Sequence, residues 1–404
     1  MKLHPRSIND ARRLLLEKAV PIKEVENRKL HDANSCILAE NISSSIDVPL
    51  ATNSAMDGYA VKASVSAGKV LKISERIPAG ISPSPLKIGT AARIFTGAPL
   101  PSGADAVVMQ EETSAVKGSV SLPEVIDVGQ NVRQAGEDIR VGEKIFSSGH
   151  RLRAQDLGLM ASVGISSVVV KRSLKVAVCS TGNELVEPGS KPIKCGEIYN
   201  SNQVTLISLL RSWGMDAINF GIVPDDPIAI SKLFVEASDT SDCIITTGGV
   251  SVGEEDYVKT QLQKLGELIF WKLNIKPGKP MALGMIGTTP LLGLPGNPVS
   301  AFVTFLLAAK PFLYAMQGES YKELVYVPVN AEFDLQKPSD RQQYLRVRIS
   351  QSVSGLNAEL HPNQGSGVFN SICKSDALAE VPPNNTVARG NLIRVLMLDS
   401  LVCA

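Results

Sequence analysis

Charge of one sign is what this 404-residue chain most plainly lacks: 41 Lys and Arg against 40 Asp and Glu leave a formal net charge of +1. No global field therefore draws it to nucleic acid or to an anionic membrane. Aromatic residues are scarce at 5%, which argues against a base-stacking surface. Six cysteines (36, 179, 195, 243, 373, 403) form no CxxC pair, and four histidines show neither HxH nor HExxH spacing. Neither a zinc site nor a disulfide framework is expected. Cys179 and Cys243 fall in apolar strand patterns and read as small core residues. No GxxxxGK[ST] occurs, because Lys69 and Lys279 are followed by Val and Pro, and no GxGxxG follows a strand. A Walker NTPase and a dinucleotide dehydrogenase are thus unsupported. The opening MKLHPRSIND has no apolar signal-like run, and the longest apolar stretch, Val299–Ala309, is too short to span a bilayer. A cytoplasmic protein is expected, with no nucleic-acid or membrane partner.

What is present is globular composition, 44% hydrophobic and 20% charged, in a chain long enough for roughly two to four domains. Ser7 can cap a helix with apolar positions Ala11, Leu14, Leu15 and Ala19, which Pro21 ends. Residues 154–162 repeat that helical character and are expected to pack with it. In between, from about residue 46 to 138, Gly, Pro, Ser and Val dominate and helical periodicity is poor, so an inserted β domain is expected within a discontinuous first one. Its turns include Asp57-Gly58-Tyr59 and Thr96-Gly97-Ala98-Pro99, and it closes near Glu137 and Asp138. From Ser173, strands and helices alternate: strands at Leu174–Cys179, Ala217–Val223, Cys243–Thr247, Ile269–Leu273 and Leu291–Leu294 imply a doubly wound, mostly parallel α/β domain. From Ser320 the pattern returns to β, with Arg346 and Arg348 alternating with apolar residues. Their local pattern suits a solvent-facing strand side.

One stretch organises the α/β domain. CIITTGGVSVGEEDY (243–257) reads as a buried strand, a turn through Gly248 and Gly249, and a helix start bearing Glu254, Glu255 and Asp256. Glycines let backbone N–H groups approach a phosphate, and acids beside a phosphate call for a bridging cation such as Mg²⁺. The plainer alternative is that the glycines only turn the chain and the acids only cap a helix. Glu184, Asp225, Asp256, Lys276, Lys279 and Ser300 all lie just beyond strand ends, where open α/β sheets bind ligands. Together they suit an anionic ligand with a divalent cation. Asp226 followed by Pro227 fits a helix N-cap and first turn.

NSAMDGYA (53–60), FTGAPLP (95–101), AGEDI (135–139), TTGGVSVGEEDY (246–257), KPGKP (276–280) and LPGNPVSA (294–301), in this order across nearly the whole chain, closely resemble the molybdopterin molybdenumtransferases, the MoeA and gephyrin E-domain family. The resemblance implies an elongated homodimer of four domains: a dimerising domain I (1–45 and 139–172), an inserted β domain II (46–138), a MogA-like α/β domain III (173–318) and a β-barrel domain IV (319–404). It implies a molybdenum insertase. Molybdate is transferred onto the dithiolene of adenylated molybdopterin, with Mg²⁺-dependent phosphoanhydride cleavage and AMP release. The cleft would lie between domain III of one subunit and domain II of the other. Asp256, Lys276, Lys279, Glu184 and Asp225 (or its neighbour Asp226) would act in the chemistry, with Asp256 and Glu184 holding Mg²⁺. Thr181, Gly248, Gly249, Ser251, Gly253, Pro295 and Asn297 would bind the adenylated pterin, with Asp57, Thr96 and Asp138 reaching in from the partner. Lys279, Pro280, Ser300, Arg346 and Ser366 resemble the molybdate-contacting set. Transient contacts with the adenylyltransferase and with apo-molybdoenzymes are implied as well. Three positions depart from the common pattern: Thr52 stands where many members have Asp, and Gln134 and Ala135 replace more basic residues. Two other readings stay open at this point, a molybdopterin adenylyltransferase, whose glycine turn usually reads TTGGTG, and a non-catalytic molybdopterin-binding scaffold.

Overall fold

The computed structural model describes residues 5–250, 257–353 and 355–403. The first helix, Ile8–Lys18, starts where Ser7 Oγ accepts from the Asp10 backbone N–H at 3.1 Å. Its buried face, Ile8, Ala11, Arg12 and Leu15, packs against the long helix Pro298–Met316. It does not pack with the helix Ala154–Ser162, which lies in a separate cluster with Leu30, Leu38, Leu152, Val168 and Val170.

The reason lies in the long helix. Pro311 has no N–H, so the Leu307 carbonyl four residues back loses its helical donor. The backbone widens into a π-turn at Phe305–Ala309. Arg12 Nε then donates to the Leu307 oxygen at 3.1 Å. That bond ties the first helix to the third domain. By length and composition the 19-residue helix Pro298–Met316 is apolar enough to cross a membrane, but 78% of its apolar window is buried. It is the central core helix here, and it is longer than the apolar stretch Val299–Ala309 suggests.

Val25–Lys29 pairs antiparallel with Ser167–Lys171, so the chain returns to its start after the insertion. The insertion joins through a two-chain stalk, where Val48 N–H donates to the Ile139 carbonyl at 2.7 Å. It carries a six-stranded sheet in the order 106–109, 58–61, 90–94, 70–77, 119–121, 114–116.

The α/β unit holds a six-stranded sheet in the order 216–223, 175–181, 243–247, 289–294, 282–286, 267–271. The first four strands are mutually parallel. Ala282–Ile286 runs against them, and Glu267–Trp271 reverses once more to rejoin their direction. The alternation of strand side chains builds two cores. Val176 and Val178 face the first and long helices, whereas Ala177 and Cys179 face Ile230, Phe234, Val258 and Leu262 on the opposite side. Cys179 and Cys243 are fully buried, and burial pushes the Cys179 thiol up to about 12.

The C-terminal strands close into a five-stranded barrel in the order 342–352, 355–360, 327–331, 392–397, 377–381, the last pairing back with the first. Ile275–Lys276 leaves the α/β unit to pair parallel with Gln342–Gln343 at the barrel edge. The KPGKP segment is thereby stitched to the strand that carries Arg346.

Candidate active site

A cleft of about 740 Å³ opens at the carboxyl ends of the parallel strands. Its floor is the turn after Cys243–Thr247. Gly248 and Gly249 have φ of +89° and +60°, which L side chains rarely adopt. Space alone would also exclude a side chain. A Cβ on Gly248 would come within 2.4 Å of the Thr181 carbonyl oxygen, and one on Gly249 within 2.6 Å of Val258 Cγ2. Beside them the Thr181 hydroxyl is buried without a hydrogen-bond partner among the described residues. An unpaired buried hydroxyl costs free energy unless a ligand or water meets it. Thr181, Gly248 and Gly249 therefore make a close-approach surface for a polar ligand.

Of the residues expected from sequence, Thr181, Glu184, Asp225, Gly248, Gly249, Pro280, Pro295, Asn297 and Ser300 all line this cleft. Glu184 is exposed, and Asp225 Oδ2 accepts from the Asn183 N–H at 3.2 Å. The pair Asp225 and Asp226 divides its work. Asp226 Oδ1 accepts from the N–H groups of Ile228 and Ala229 at 3.1 and 2.8 Å, capping the helix Pro227–Thr240. Asp226 is thus consumed by its helix, and Asp225 faces the cleft. Asn297 stands at the N-cap of the long helix without a side-chain cap bond. Ser251, Gly253 and Asp256 lie outside the described residues.

Lys276 and Lys279 are exposed on the loop that delivers Pro280 to the wall. Gly278 fixes that loop: a Cβ there would strike Thr304 Cγ2 of the long helix at 2.5 Å. Arg346 overturns the solvent-facing strand pattern. It is 1% exposed, whereas Arg348, two residues on, is exposed. Its Nε donates to Ser371 Oγ at 3.2 Å and its Nη2 to the Gly365 carbonyl at 3.3 Å. Among the described residues no carboxylate pairs with it, and burial pushes the guanidinium down to about 10. A buried charge without a counter-ion is costly and calls for an anion. Ser366, on the same loop as Gly365, accepts from the Val299 N–H at 3.0 Å, and Gly367 lines the cleft. The barrel arginine and the α/β cleft are thus joined through one loop.

Domain II residues stay apart from this cleft within one chain. Asp57 Oδ1 accepts from both the backbone N–H and the hydroxyl of Thr96 at 2.8 Å. These two bonds hold the Asp57 carboxyl below the usual carboxylate range. Asp138 lies on the stalk, its N–H donating to the Val48 carbonyl at 2.9 Å.

Sequence reasoning missed part of the wall: Ile198, Tyr199, Asn200 and Asn202. Asn200 caps the helix Ser201–Ser212, and its Oδ1 accepts from Ser180 Oγ at 3.0 Å. Asn202 Nδ2 donates to the Gly296 carbonyl at 2.7 Å, pinning the PGNP turn. The available signal was an Asn at a helix start directly after a short strand, Ile198–Tyr199.

Three family profiles match this chain in order. They are the MoeA N-terminal region (domain I and II) at residues 6–164, a "Probable molybdopterin binding domain" at 177–315, and the MoeA C-terminal region (domain IV) at 328–398. The chain is 39% identical to the molybdopterin molybdenumtransferase of Haemophilus influenzae over 378 residues, covering 92% of this chain and 93% of that protein. The chain belongs to the molybdopterin molybdenumtransferase family. Membership makes it a transferase enzyme, which sets aside a purely non-catalytic scaffold. The family relative from Nostoc is 34% identical over 98% of this chain and 95% of its own. A solved MoeA structure from Pyrococcus horikoshii superposes with a TM-score of 0.84 at 28% identity, over 98% of this chain and 100% of that one. Another solved molybdopterin biosynthesis MoeA protein structure from Pyrococcus horikoshii gives 0.78 at 30% identity over 98% of this chain and 99% of that one. The family resemblance read from the six motifs, and the multidomain fold it implied, both hold.

Proposed function

We propose that this enzyme transfers molybdenum from molybdate onto the dithiolene of adenylated molybdopterin, cleaving the phosphoanhydride and releasing AMP, in the last stage of molybdenum cofactor assembly in the cytoplasm. The observation that carries this reading is Arg346: a buried guanidinium without a carboxylate partner among the described residues, tied by one loop to the cleft that the glycine turn floors. A dianion such as molybdate would supply the missing charge, with hydroxyl donors from Ser300 and Ser366 and cations from Lys276 and Lys279 at the mouth. Thr181, Gly248 and Gly249 would hold the phosphates.

Mg²⁺ fits the donor chemistry. Glu184 and Asp225 offer carboxylate oxygens to the same cleft, and Thr181 offers an unpaired hydroxyl. Among the described residues no three acidic, His or Cys side chains form a ready-made metal cluster. That suits a cation held jointly by one or two carboxylates and the substrate's phosphates. When bound, it would offset phosphate charge as the anhydride breaks. The protein's own part is to orient the anhydride on the glycine turn and place the oxyanion against Arg346.

The reading also takes the active unit to be a homodimer. Asp57, Thr96 and Asp138 are remote from the cleft in one chain, so a partner's domain II is the source from which they would reach it. The preceding adenylyltransferase and the recipient apo-enzymes are expected as transient partners.

The test is AMP release from adenylated molybdopterin by the purified protein, with Mg²⁺, with and without molybdate. Molybdate-dependent AMP release with formation of active cofactor is expected. Adenylated pterin that stays bound and uncleaved under both conditions would contradict the reading.

A further inference from the structure

The strand Gln342–Ser352 pairs with Gly355–Leu360 only as far as Val347 and Leu360. At Arg346 the partner strand peels away into the loop 361–369. One backbone bond spans the opening, from the His361 N–H to the Arg346 carbonyl at 3.0 Å. The rest of the gap is filled by a side chain. Gln364 Oε1 accepts from the Arg346 N–H at 3.0 Å, and Gln364 Nε2 donates to the Arg346 carbonyl at 2.8 Å and to the His361 carbonyl at 2.9 Å. The amide copies the donor–acceptor pair of a missing strand residue. Its neighbours do the site's work: the Gly365 carbonyl accepts from Arg346 Nη2, the Ser366 carbonyl accepts from the Val299 N–H, and Gly367 lines the cleft. Ser371, fully buried, completes the frame by accepting from Arg346 Nε and donating to the Val368 carbonyl at 2.7 Å.

We propose that Gln364 is a positioning residue: its amide clamps the loop 361–369 to the backbone of Arg346, so that the Arg346 guanidinium and Ser366 meet the same oxyanion. This rests on the molybdate reading above. The clamp acts on where the anion sits and leaves the phosphate turn at Gly248 untouched. It therefore separates the two substrates kinetically.

The experiment compares wild type, Gln364→Ala and the isosteric Gln364→Glu, which keeps the acceptor but loses the donors. Steady-state AMP release is measured against molybdate and, separately, against adenylated pterin. The KM for molybdate should rise by about tenfold, the scale on which outer partners of ligating groups act, with kcat and the KM for the pterin nearly unchanged. Equilibrium binding of molybdate alone, by calorimetry, should weaken in parallel. In an Arg346→Gln background, Gln364→Ala should add almost nothing, because the two act on one interaction. Equal losses in kcat and both KM values, unchanged molybdate affinity, or additive losses in the double variant would each overturn the proposal. If wild type binds molybdate without any turnover, the functional reading fails while the calorimetric comparison still decides the role of Gln364. If wild type neither turns over nor binds, both fall.

Discussion

Arg12 and Leu307, 295 residues apart, meet at one hydrogen bond of 3.1 Å from guanidinium Nε to backbone carbonyl. Pro311, four residues on, has no N–H to offer that carbonyl. Replacing Arg12 by Met keeps the apolar stem contact and removes this donor from the buried carbonyl. That should cost on the order of 1–3 kcal/mol, read as a lower denaturant midpoint. Activity per folded molecule should stay the same, since Arg12 is remote from the cleft.

The two adjacent aspartates should separate cleanly. Asp226→Ala removes the cap of the helix Pro227–Thr240 and should cost about 1 kcal/mol of stability, with turnover little changed. Asp225→Ala leaves that cap intact and should cut AMP release with little loss of stability. Thermal melts and turnover on both variants check this; the reverse assignment would show as the reverse pattern.

Gly248→Ala tests the close approach at the floor of the cleft. The added Cβ meets the Thr181 carbonyl oxygen at 2.4 Å on a backbone of positive φ. The turn must shift, so affinity for AMP and for adenylated pterin should fall together while molybdate binding persists. Calorimetry with each ligand is the check.

Asp156 gives an acid-stability prediction. Burial alone would raise its carboxyl, but hydrogen bonds from Arg153, His150 and the Arg153 backbone hold it down to about 2. A carboxyl depressed in the folded state contributes stability that is full above its ordinary value of 3.8 and is lost as pH falls towards about 2. Asp156→Asn should therefore lower stability at pH 7 and flatten its decline between those limits, in denaturant titrations run at stepped pH.

If domain II acts across the dimer, two inactive variants should complement. Mixing Asp57→Asn with Asp225→Asn subunits leaves each mixed dimer one cleft with both residues intact. Random pairing should restore about a quarter of wild-type activity. Continued inactivity after verified subunit exchange would mean that Asp57 serves the cleft of its own chain, and would contradict action across the dimer.

The sequence carried far because its signals are local. The glycine turn after Cys243–Thr247, the cap at Asp226 and the polar residues beyond the strand ends each announce themselves within a few positions. What stayed hidden depends on distant partners. The alternation around Arg346 and Arg348 shows two faces but not which one a loop 20 residues later will cover. The strand Ala282–Ile286 is apolar on both sides, and nothing local reveals that it runs against its neighbours. The first helix matches the helix Ala154–Ser162 in character, yet it docks on the long helix Pro298–Met316, whose sequence lies at the far end of the chain. Asn200 and Asn202 read locally as helix-start residues, and only the fold shows that they form a cleft wall.

The most direct test of the central claim is the molybdate dependence of AMP release by Arg346→Gln, a variant that keeps a hydrogen-bond donor but loses the charge. A large rise in the molybdate concentration needed, with affinity for adenylated pterin retained and the protein still folded, is the predicted result. Wild-type molybdate dependence in a folded Arg346→Gln enzyme would contradict the account, because the buried guanidinium would then have no part in holding the oxyanion.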